Sequence, residues 1–119
     1  MGDSRRSVGK KYEKLACRYL RAEGYQIRET NFRCRSGEID IVAEDGRELV
    51  FIEVKYRSGD AAGDPLEAVN YKKQRVISRT AAYYMLKHRI PETAPCRFDV
   101  VGVTPQKVTV IKNAFDFCP

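Results

Sequence analysis

The sequence predicts a mixed α/β domain with the element order helix, three strands, helix, two strands. Two segments, 7–23 and 70–88, carry apolar residues at the three- and four-residue spacing of an amphipathic helix. The remaining segments alternate apolar and polar residues and are rich in valine and isoleucine, which favours strands. A chain of 119 residues is long enough to bury roughly two thirds of its unfolded surface. We therefore expect one domain, spanning residues 1–119.

The first helix is predicted over 7–23. Ser4 and Ser7 are both candidate N-caps, and Gly24 is well placed to end the helix. The apolar stripe of this helix consists of Val8, Tyr12, Leu15, Ala16, Tyr19 and Leu20. Glu13 flanks this stripe, whereas the lysines and arginines lie on the opposite face. A carboxylate in that position either reaches a site on the neighbouring strands or pairs with a nearby basic side chain.

Three strands are predicted next, over 25–33, 37–43 and 50–55. The dipeptide Asp45-Gly46 between the last two is a strong signal for a two-residue hairpin turn. Both strands of this hairpin insert carboxylates between strongly hydrophobic residues, which marks the hairpin as the place where function is to be sought.

The register of the hairpin determines which side chains meet. A two-residue turn at that dipeptide places Ile41 opposite Val50 and collects the isoleucines of both strands on one face. Asp40, Glu53 and Lys55 then share the other face. Asp40 and Glu53 become diagonal neighbours with Cα atoms roughly 7–8 Å apart, within joint reach of one ion.

This group has the composition of a divalent-metal site. Carboxylate oxygens suit Mg²⁺ or Mn²⁺. Two carboxylates about 6 Å apart repel by roughly 3 kcal/mol at an effective dielectric constant of about 20, which a cation would offset. Lys55 is suited to orient an attacking water or to stabilise charge on a phosphate. The alternative is a solvated sheet face with an ordinary Glu–Lys pair, which antiparallel strands often carry.

The second half of the chain is predicted to contain a loop and a basic helix. The segment 58–64 is a candidate flexible loop beside the site, followed by a turn at Pro65, and Asn70 is the candidate N-cap of the helix over 70–88. The buried face of this helix consists of Ile77, Ala81, Tyr84 and Met85, with Gln74 projecting onto it. A separate stripe consists of Lys72, Arg75, Arg79 and Tyr83. A basic stripe that ends in an aromatic suits a phosphate backbone, and a solvated helix face is an equally open interpretation.

The last two strands are predicted over 97–103 and 107–112. Asp99 stands between two apolar residues of the first of them, so it either braces the site or caps a loop. His88, the one histidine of the sequence, lies at the end of a predicted helix and is expected to be structural. A histidine-rich metal centre is thereby excluded.

Composition indicates which class of partner and which cellular compartment to expect. Lysine and arginine number 22 against 16 aspartate and glutamate, so the formal net charge is +6, which favours a polyanionic partner. No apolar run has the length of a signal peptide or of a membrane span, so we expect no membrane contact. The scattered cysteines include no C-x-x-C pair, which fits reduced thiols in the cytoplasm. These cysteines are Cys17, Cys34, Cys96 and Cys118.

Four runs of the sequence, in order, resemble the YraN family of small bacterial proteins: G-E-I-D-I-V-A, V-F-I-E-V-K-Y-R, A-V-N-Y-K-K-Q-R and R-F-D-V-V. That family is itself uncharacterised, belongs to the PD-(D/E)XK nuclease superfamily and is similar to archaeal Holliday-junction resolvases. The resemblance extends from Gly9 to Phe115. It implies a restriction-endonuclease-like fold, with a mixed central sheet flanked by helices.

The resemblance also implies roles for individual residues. The core positions of the superfamily correspond to Asp40, Glu53 and Lys55. The acidic position on the first helix corresponds to Glu13, and a polar position on the later helix corresponds to Gln74. The family commonly has glycine before the acid of the first helix, where this chain has a tyrosine whose ring would crowd the site or stack on a base.

The resulting hypothesis is an Mg²⁺- or Mn²⁺-dependent endonuclease of DNA. Asp40, Glu53 and Glu13 would hold the ion, and Lys55 and Gln74 would complete the catalytic group. The DNA backbone would be contacted by Lys72, Arg75, Arg79, Lys10 and Lys14. Branched, nicked, single-stranded and duplex DNA are all open as substrates, and the likeness to junction resolvases favours a homodimer. The alternatives are a nucleic-acid-binding module of the same fold without catalysis and a protein-interaction domain with no nucleic-acid role.

Overall fold

The computed structural model describes residues 4–57 and 69–118, with side chains from residue 9 onward. The predicted order of helix, three strands, helix and two strands is confirmed. The elements are α1 (Ser4–Ala22), β1 (Gln26–Cys34), β2 (Gly37–Asp45), β3 (Glu48–Tyr56), α2 (Tyr71–Lys87), β4 (Cys96–Val103) and β5 (Val108–Phe115). The loop predicted over 58–64 and the turn at Pro65 lie outside the described residues.

The five strands form one open mixed sheet in the order β1-β2-β3-β4-β5. Only the central pair, β3 and β4, is parallel, and the other three pairs are antiparallel. A parallel pair requires a crossover connection, and the segment that contains α2 provides it. No helix among the described residues is long and apolar enough to cross a membrane.

Each face of the sheet is covered by one helix. Alternate residues of β3 belong to different clusters: Phe51 packs with Ile77 of α2, and Ile52 packs with Leu20 of α1. The predicted buried face of α2 is confirmed, because Tyr84 and its neighbours at helical spacing are buried. The two helices therefore lie on opposite faces of the sheet.

The end of α1 and the start of α2 are capped by the residues that the sequence predicts. After α1, Gly24 has a φ of +97°, the Gly24 N–H donates to Arg21 and the Tyr25 N–H donates to Leu20. This is the Schellman arrangement, which requires a residue with positive φ. The Asn70 side chain accepts from the backbone N–H of Lys73 and caps α2.

The start of α1 differs from both predictions. The helix already includes Ser4 and Ser7, so neither serine precedes the helix as its N-cap.

The hairpin between β2 and β3 corrects the predicted register. Its two loop residues are Gly46 and Arg47, so Ile41 lies opposite Ile52 and not opposite Val50. Gly46 has a φ of +62° and the next residue does not have a positive φ, which is typical of a II′ turn with glycine in first place. The expected turn was therefore one residue too early, and every pairing was displaced by two.

The side chains of β2 do not alternate regularly. Ile39 packs in the cluster on the α2 side, together with Val42, whereas Ile41 packs in the cluster on the α1 side. Residues two apart on a regular strand share a face, so the alternation is broken at Asp40. The expectation that the isoleucines share one face is wrong for this reason.

Asp99 braces the sheet rather than the site. It is 1% exposed and accepts from the hydroxyl of Tyr25 at 2.8 Å, from the backbone N–H of Asn113 at 2.9 Å and from Arg97 Nε at 3.0 Å. His88 is the C-cap of α2 and its ring lies 4.2 Å from that of Tyr84, which confirms a structural place. All four cysteines are free thiols.

Candidate functional site

The strands β2 and β3 stop pairing at Ile41 and Ile52, and Asp40 is the next residue of β2. The backbone N–H of Val54 donates to Asp40 Oδ2 at 2.7 Å. A side chain thus takes the place of the backbone carbonyl that would continue the ladder. The bond fixes the Asp40 carboxylate at the point where the two strands separate.

Asp40 opens into a cleft of about 730 Å³ between α1 and the sheet. The walls of the cleft include Glu13 from α1, Asn31 from β1 and Tyr56 from β3. Asn31 has a φ of +55°, a conformation that asparagine tolerates better than most residues, and its amide donates to Glu13 Oε1 at 2.7 Å. The structure therefore brings Glu13 and Asp40 into one cleft, which agrees with the first of the two alternatives for Glu13.

The electrostatics of this cleft are unfavourable for carboxylates. Burial and, after it, the negative charge of Glu53 raise the pKa of Asp40 to about 7, while the Val54 hydrogen bond acts in the opposite direction. Burial also raises the pKa of Glu13, against the lowering effect of its hydrogen bond from Asn31. The charges of Glu38 and Glu13 also raise the pKa of Asp40, whereas Lys10 lowers that of Glu13.

Glu53 and Lys55 form a second part of the site. Glu53 is 6% exposed, and its Oε1 lies 3.4 Å from Lys55 Nζ and 3.8 Å from Lys73 Nζ of α2. Neither Glu53 nor Lys55 lines the cleft of Asp40. The expectation that Asp40 shares one face with them is wrong, because the alternation of β2 breaks at Asp40. The carboxylates of Asp40 and Glu53 are nevertheless close enough for one to shift the pKa of the other.

The other predicted site residues lie further out. The Gln74 amide donates to the carbonyl of Val69 at 3.0 Å, and the Cys118 thiol lies 3.8 Å from its oxygen, so Gln74 ties α2 to the chain around it. The predicted phosphate contacts are all exposed, on α2 and on α1. These residues are Lys72, Arg75, Arg79, Lys10 and Lys14.

Sequence reasoning missed three residues of the site. Lys73 contacts Glu53 from α2, Asn31 holds Glu13, and Tyr56 stacks on Tyr12 in the wall of the cleft. A polar residue with positive φ in the middle of a strand is a signal for Asn31, but φ cannot be read from the sequence. Lys73 and Tyr56 are found only when the elements are packed together.

The oxygen ligands are of the kind that a hard divalent ion prefers, but they are not grouped into a preformed binding site. Asp40, Glu13 and Glu53 offer carboxylate oxygens, the ligands that Mg²⁺ and Mn²⁺ prefer. The raised pKa of Asp40 is the mark of a group whose charge needs a cation. Within residues 4–57 and 69–118, however, no three His, Cys, Asp or Glu side chains are grouped closely enough to hold an ion.

Comparison with known proteins identifies the family. The family model described as Uncharacterised protein family UPF0102 matches residues 12–103, a range that contains Glu13, Asp40, Glu53 and Lys55. A UPF0102 protein of Lachnoclostridium phytofermentans is 54% identical over 104 residues, which cover 87% of this chain and 88% of the relative. A UPF0102 protein of Thermotoga petrophila is 48% identical over 99 residues, which cover 83% and 88%. A UPF0102 protein of Coxiella burnetii is 44% identical over 110 residues, which cover 92% of each.

These matches agree with the expectation of an uncharacterised family, and the place of that family among the nucleases stays a prediction. Since the family model covers residues 12–103, most of the chain, and the relatives align over most of their length, the chain belongs to the UPF0102 family.

Proposed function

We propose that this protein is a divalent-metal-dependent endonuclease that hydrolyses phosphodiester bonds of DNA. The observation that carries the proposal is Asp40, whose carboxylate is fixed by the Val54 N–H where two strands part. It faces an open cleft, and Glu53 is near enough to raise its pKa. A protein rarely places two repelling carboxylates at a strand separation unless a cation or a substrate uses them.

The carboxylates would hold Mg²⁺ or Mn²⁺. Asp40, Glu53 and Glu13 are the candidate ligands, and the bound ion would supply a more acidic water and polarise the scissile phosphate. The role of Asn31 is to orient Glu13, since its amide occupies one oxygen of that carboxylate. The Val54 N–H donates to Asp40 Oδ2 and so leaves Asp40 Oδ1 free of that hydrogen bond.

Two lysines stand beside Glu53. Lys55 and Lys73 both lie within 4 Å of its Oε1, and they form ion pairs with this buried carboxylate. Either ammonium group can donate to a phosphate oxygen as negative charge develops on it. The exposed cations of α2 and α1 would position the DNA backbone without reading its sequence, because phosphates carry no sequence information.

The test is an assay of the purified chain with Mn²⁺ or Mg²⁺ on branched, nicked, single-stranded and duplex DNA. Asp40→Asn, Glu53→Gln and Lys55→Met should each lower cleavage by about a hundredfold or more. The matched controls are Glu23→Gln and Lys107→Met, which change exposed residues of the same types outside the cleft and should leave the rate unchanged. A folded wild-type chain that cuts none of these substrates with either ion contradicts the proposal.

A second candidate is a DNA-binding module that lacks catalysis. It is favoured by the burial of Glu53 between two lysines and by the absence of a grouped three-ligand site among the described residues. A binding module predicts affinity that falls steeply with salt and does not change when divalent ions are removed. Measuring the Kd for DNA in EDTA and in Mn²⁺, at two salt concentrations, separates the two candidates.

A further inference from the structure

Two aromatic rings form part of the cleft wall beside Asp40. The rings of Tyr12 in α1 and Tyr56 at the end of β3 are stacked, with centroids 3.8 Å apart and an angle of 13° between their planes. Both side chains are partly exposed and both line the cleft that contains Asp40. Stacking covers the two inner ring faces, so the pair offers an outer face one ring wide next to the carboxylates.

The helix leaves space in front of these rings. Gly9 lines the same cleft and lies one helical turn before Tyr12 and Glu13. No protein atom lies within 4 Å of the position that a Cβ would occupy at Gly9, so the glycine is not required by packing. Glycine is a poor helix former, and its position here keeps the cleft open at a cost to the helix.

The size and the charges of the cleft fit a nucleotide. Its volume of about 730 Å³ is within the range of small-molecule sites. Lys10 and Arg33 add positive charge to the wall that contains Asp40 and Glu13. The cleft thus combines a stacking surface, cations for a phosphate and carboxylates for a metal ion.

We propose that this cleft takes one unpaired nucleotide of the DNA strand, with its base stacked on the Tyr12–Tyr56 pair. The inference rests on the proposed function, because it takes DNA to be the substrate. A base within a continuous duplex is covered on both faces by its neighbours, so only a nucleotide that has left the stack can lie on a protein ring. The substrate class is therefore DNA with unpaired nucleotides, such as single strands, flaps and open branch points, and not continuous duplex.

The experiment uses a DNA oligonucleotide that carries a fluorescent adenine analogue, as a single strand and annealed to its complement. Binding to the full chain is measured in EDTA, so that cleavage plays no part, by anisotropy and by quenching of the analogue. The wild type should bind the single strand more tightly than the duplex and should quench its fluorescence. Tyr12→Leu and Tyr56→Leu should abolish the quenching and weaken binding about tenfold, since a base–aromatic stack is lost.

Control variants separate stacking from folding. Tyr12→Phe keeps a ring and should behave as the wild type, and Tyr19→Leu changes a tyrosine of the same helix that does not line the cleft. Gly9→Leu leaves both rings in place but fills the space before them, so it should also abolish quenching. This variant keeps the test valid if a leucine at Tyr12 or Tyr56 prevents folding, which thermal denaturation would reveal.

The outcomes distinguish this inference from the nuclease proposal. Equal binding of single strand and duplex, or quenching that survives in Gly9→Leu and in the folded leucine variants, overturns the inference. Cleavage of continuous duplex without quenching overturns it and leaves the nuclease proposal intact. Quenching by a wild type that cleaves nothing with Mn²⁺ supports the inference and contradicts the nuclease proposal.

Discussion

At the residue scale, Asp40 is where stability and function conflict. Its carboxylate is buried beside another carboxylate, and one backbone hydrogen bond from Val54 is its compensation. The ionised form is therefore less stable in the folded protein than in water, which is why its pKa is raised to about 7. A residue that weakens the fold in this way is expected to be kept for binding or catalysis.

The first prediction concerns the stability of the metal-free protein as a function of pH. In the unfolded chain an aspartate ionises near pH 4, whereas Asp40 in the fold ionises at about 7. Between these values the folded state holds a proton that the unfolded state has released. This group therefore lowers the free energy of unfolding as pH rises, by up to about 1.4 kcal/mol per pH unit. Asp40→Asn should be more stable than the wild type, by a difference that grows over this range.

The measurement is urea denaturation in EDTA at about pH 5 and about pH 8, values on either side of the Asp40 pKa. Glu92→Gln is the matched control, because Glu92 is exposed and lies outside the cleft. Its difference from the wild type should not change with pH. A difference for Asp40→Asn that is the same at both pH values would show that Asp40 titrates as an ordinary surface carboxylate.

The residues of the site were predictable where they lie on one hairpin. The acids of β2 and β3 stand out because they interrupt apolar strands, and strand spacing alone brings Asp40 near Glu53. Asn31, Lys73 and Tyr56 were not predictable, because each acts on a residue of another element. Their partners are set by tertiary packing, which the local sequence does not encode.

At the element scale, helix ends were predicted better than strand register. Caps and glycines are local signals. As expected, Gly24 follows the end of α1 and Asn70 caps the start of α2. The register depends on which two residues form the turn, and Gly46-Arg47 competes with Asp45-Gly46 for that place. A shift of the register by two residues leaves each side chain of a regular strand on the same face of the sheet. The broken alternation at Asp40, and not the register, is what moves this residue away from the face of Lys55.

The prediction at this scale compares Gly9, within the first helix, with Gly24, which follows its end. Among the described residues, no atom outside the local backbone and chain neighbours lies within 4 Å of a Cβ at either site, so the effect of each change comes from the backbone. Gly24→Ala should destabilise the protein by about 1 kcal/mol, because alanine disfavours a φ of +97°. Gly9→Ala should stabilise it by up to about 1 kcal/mol, because alanine is the better helix former. Chemical denaturation at one pH measures both, and changes of the same sign would contradict the assigned backbone roles.

At the scale of the whole molecule, ionic groups fall into a satisfied cluster and an unsatisfied one. Arg97 of β4 lies 2.7 Å from Asp45 and 2.9 Å from Glu48 at the hairpin turn, and 3.0 Å from Asp99. Its hydrogen bond lowers the pKa of Asp45, the reverse of what happens at Asp40. Each cluster includes an aspartate of β2, Asp45 in the first and Asp40 in the second. Neighbouring positive charges lower the pKa of Asp45, whereas neighbouring negative charges raise that of Asp40.

The sequence could not tell these clusters apart. Asp99 and Asp40 look alike in the chain, since each stands between apolar strand residues. What separates them is Arg97, which comes into contact with three other segments only when β3 and β4 pair in parallel. The net charge of +6 likewise does not reveal that two acids, Glu13 and Asp40, line one cleft together with Lys10 and Arg33.

The last prediction tests whether the Arg97 cluster holds the fold together. Arg97→Met leaves the buried carboxylate of Asp99 without its cation and should lower the free energy of unfolding by about 3–5 kcal/mol. Lys112→Met is the matched control: Lys112 lies 3.5 Å from Asp45 but is 60% exposed, so its loss should cost less than about 1 kcal/mol. Adding Asp99→Asn to Arg97→Met should restore part of the loss, because the buried negative charge is removed. Chemical denaturation of the four proteins measures these differences. Equal effects of the two methionine variants would mean that burial does not strengthen the Arg97 contacts, and that the sheet is held by its apolar clusters alone.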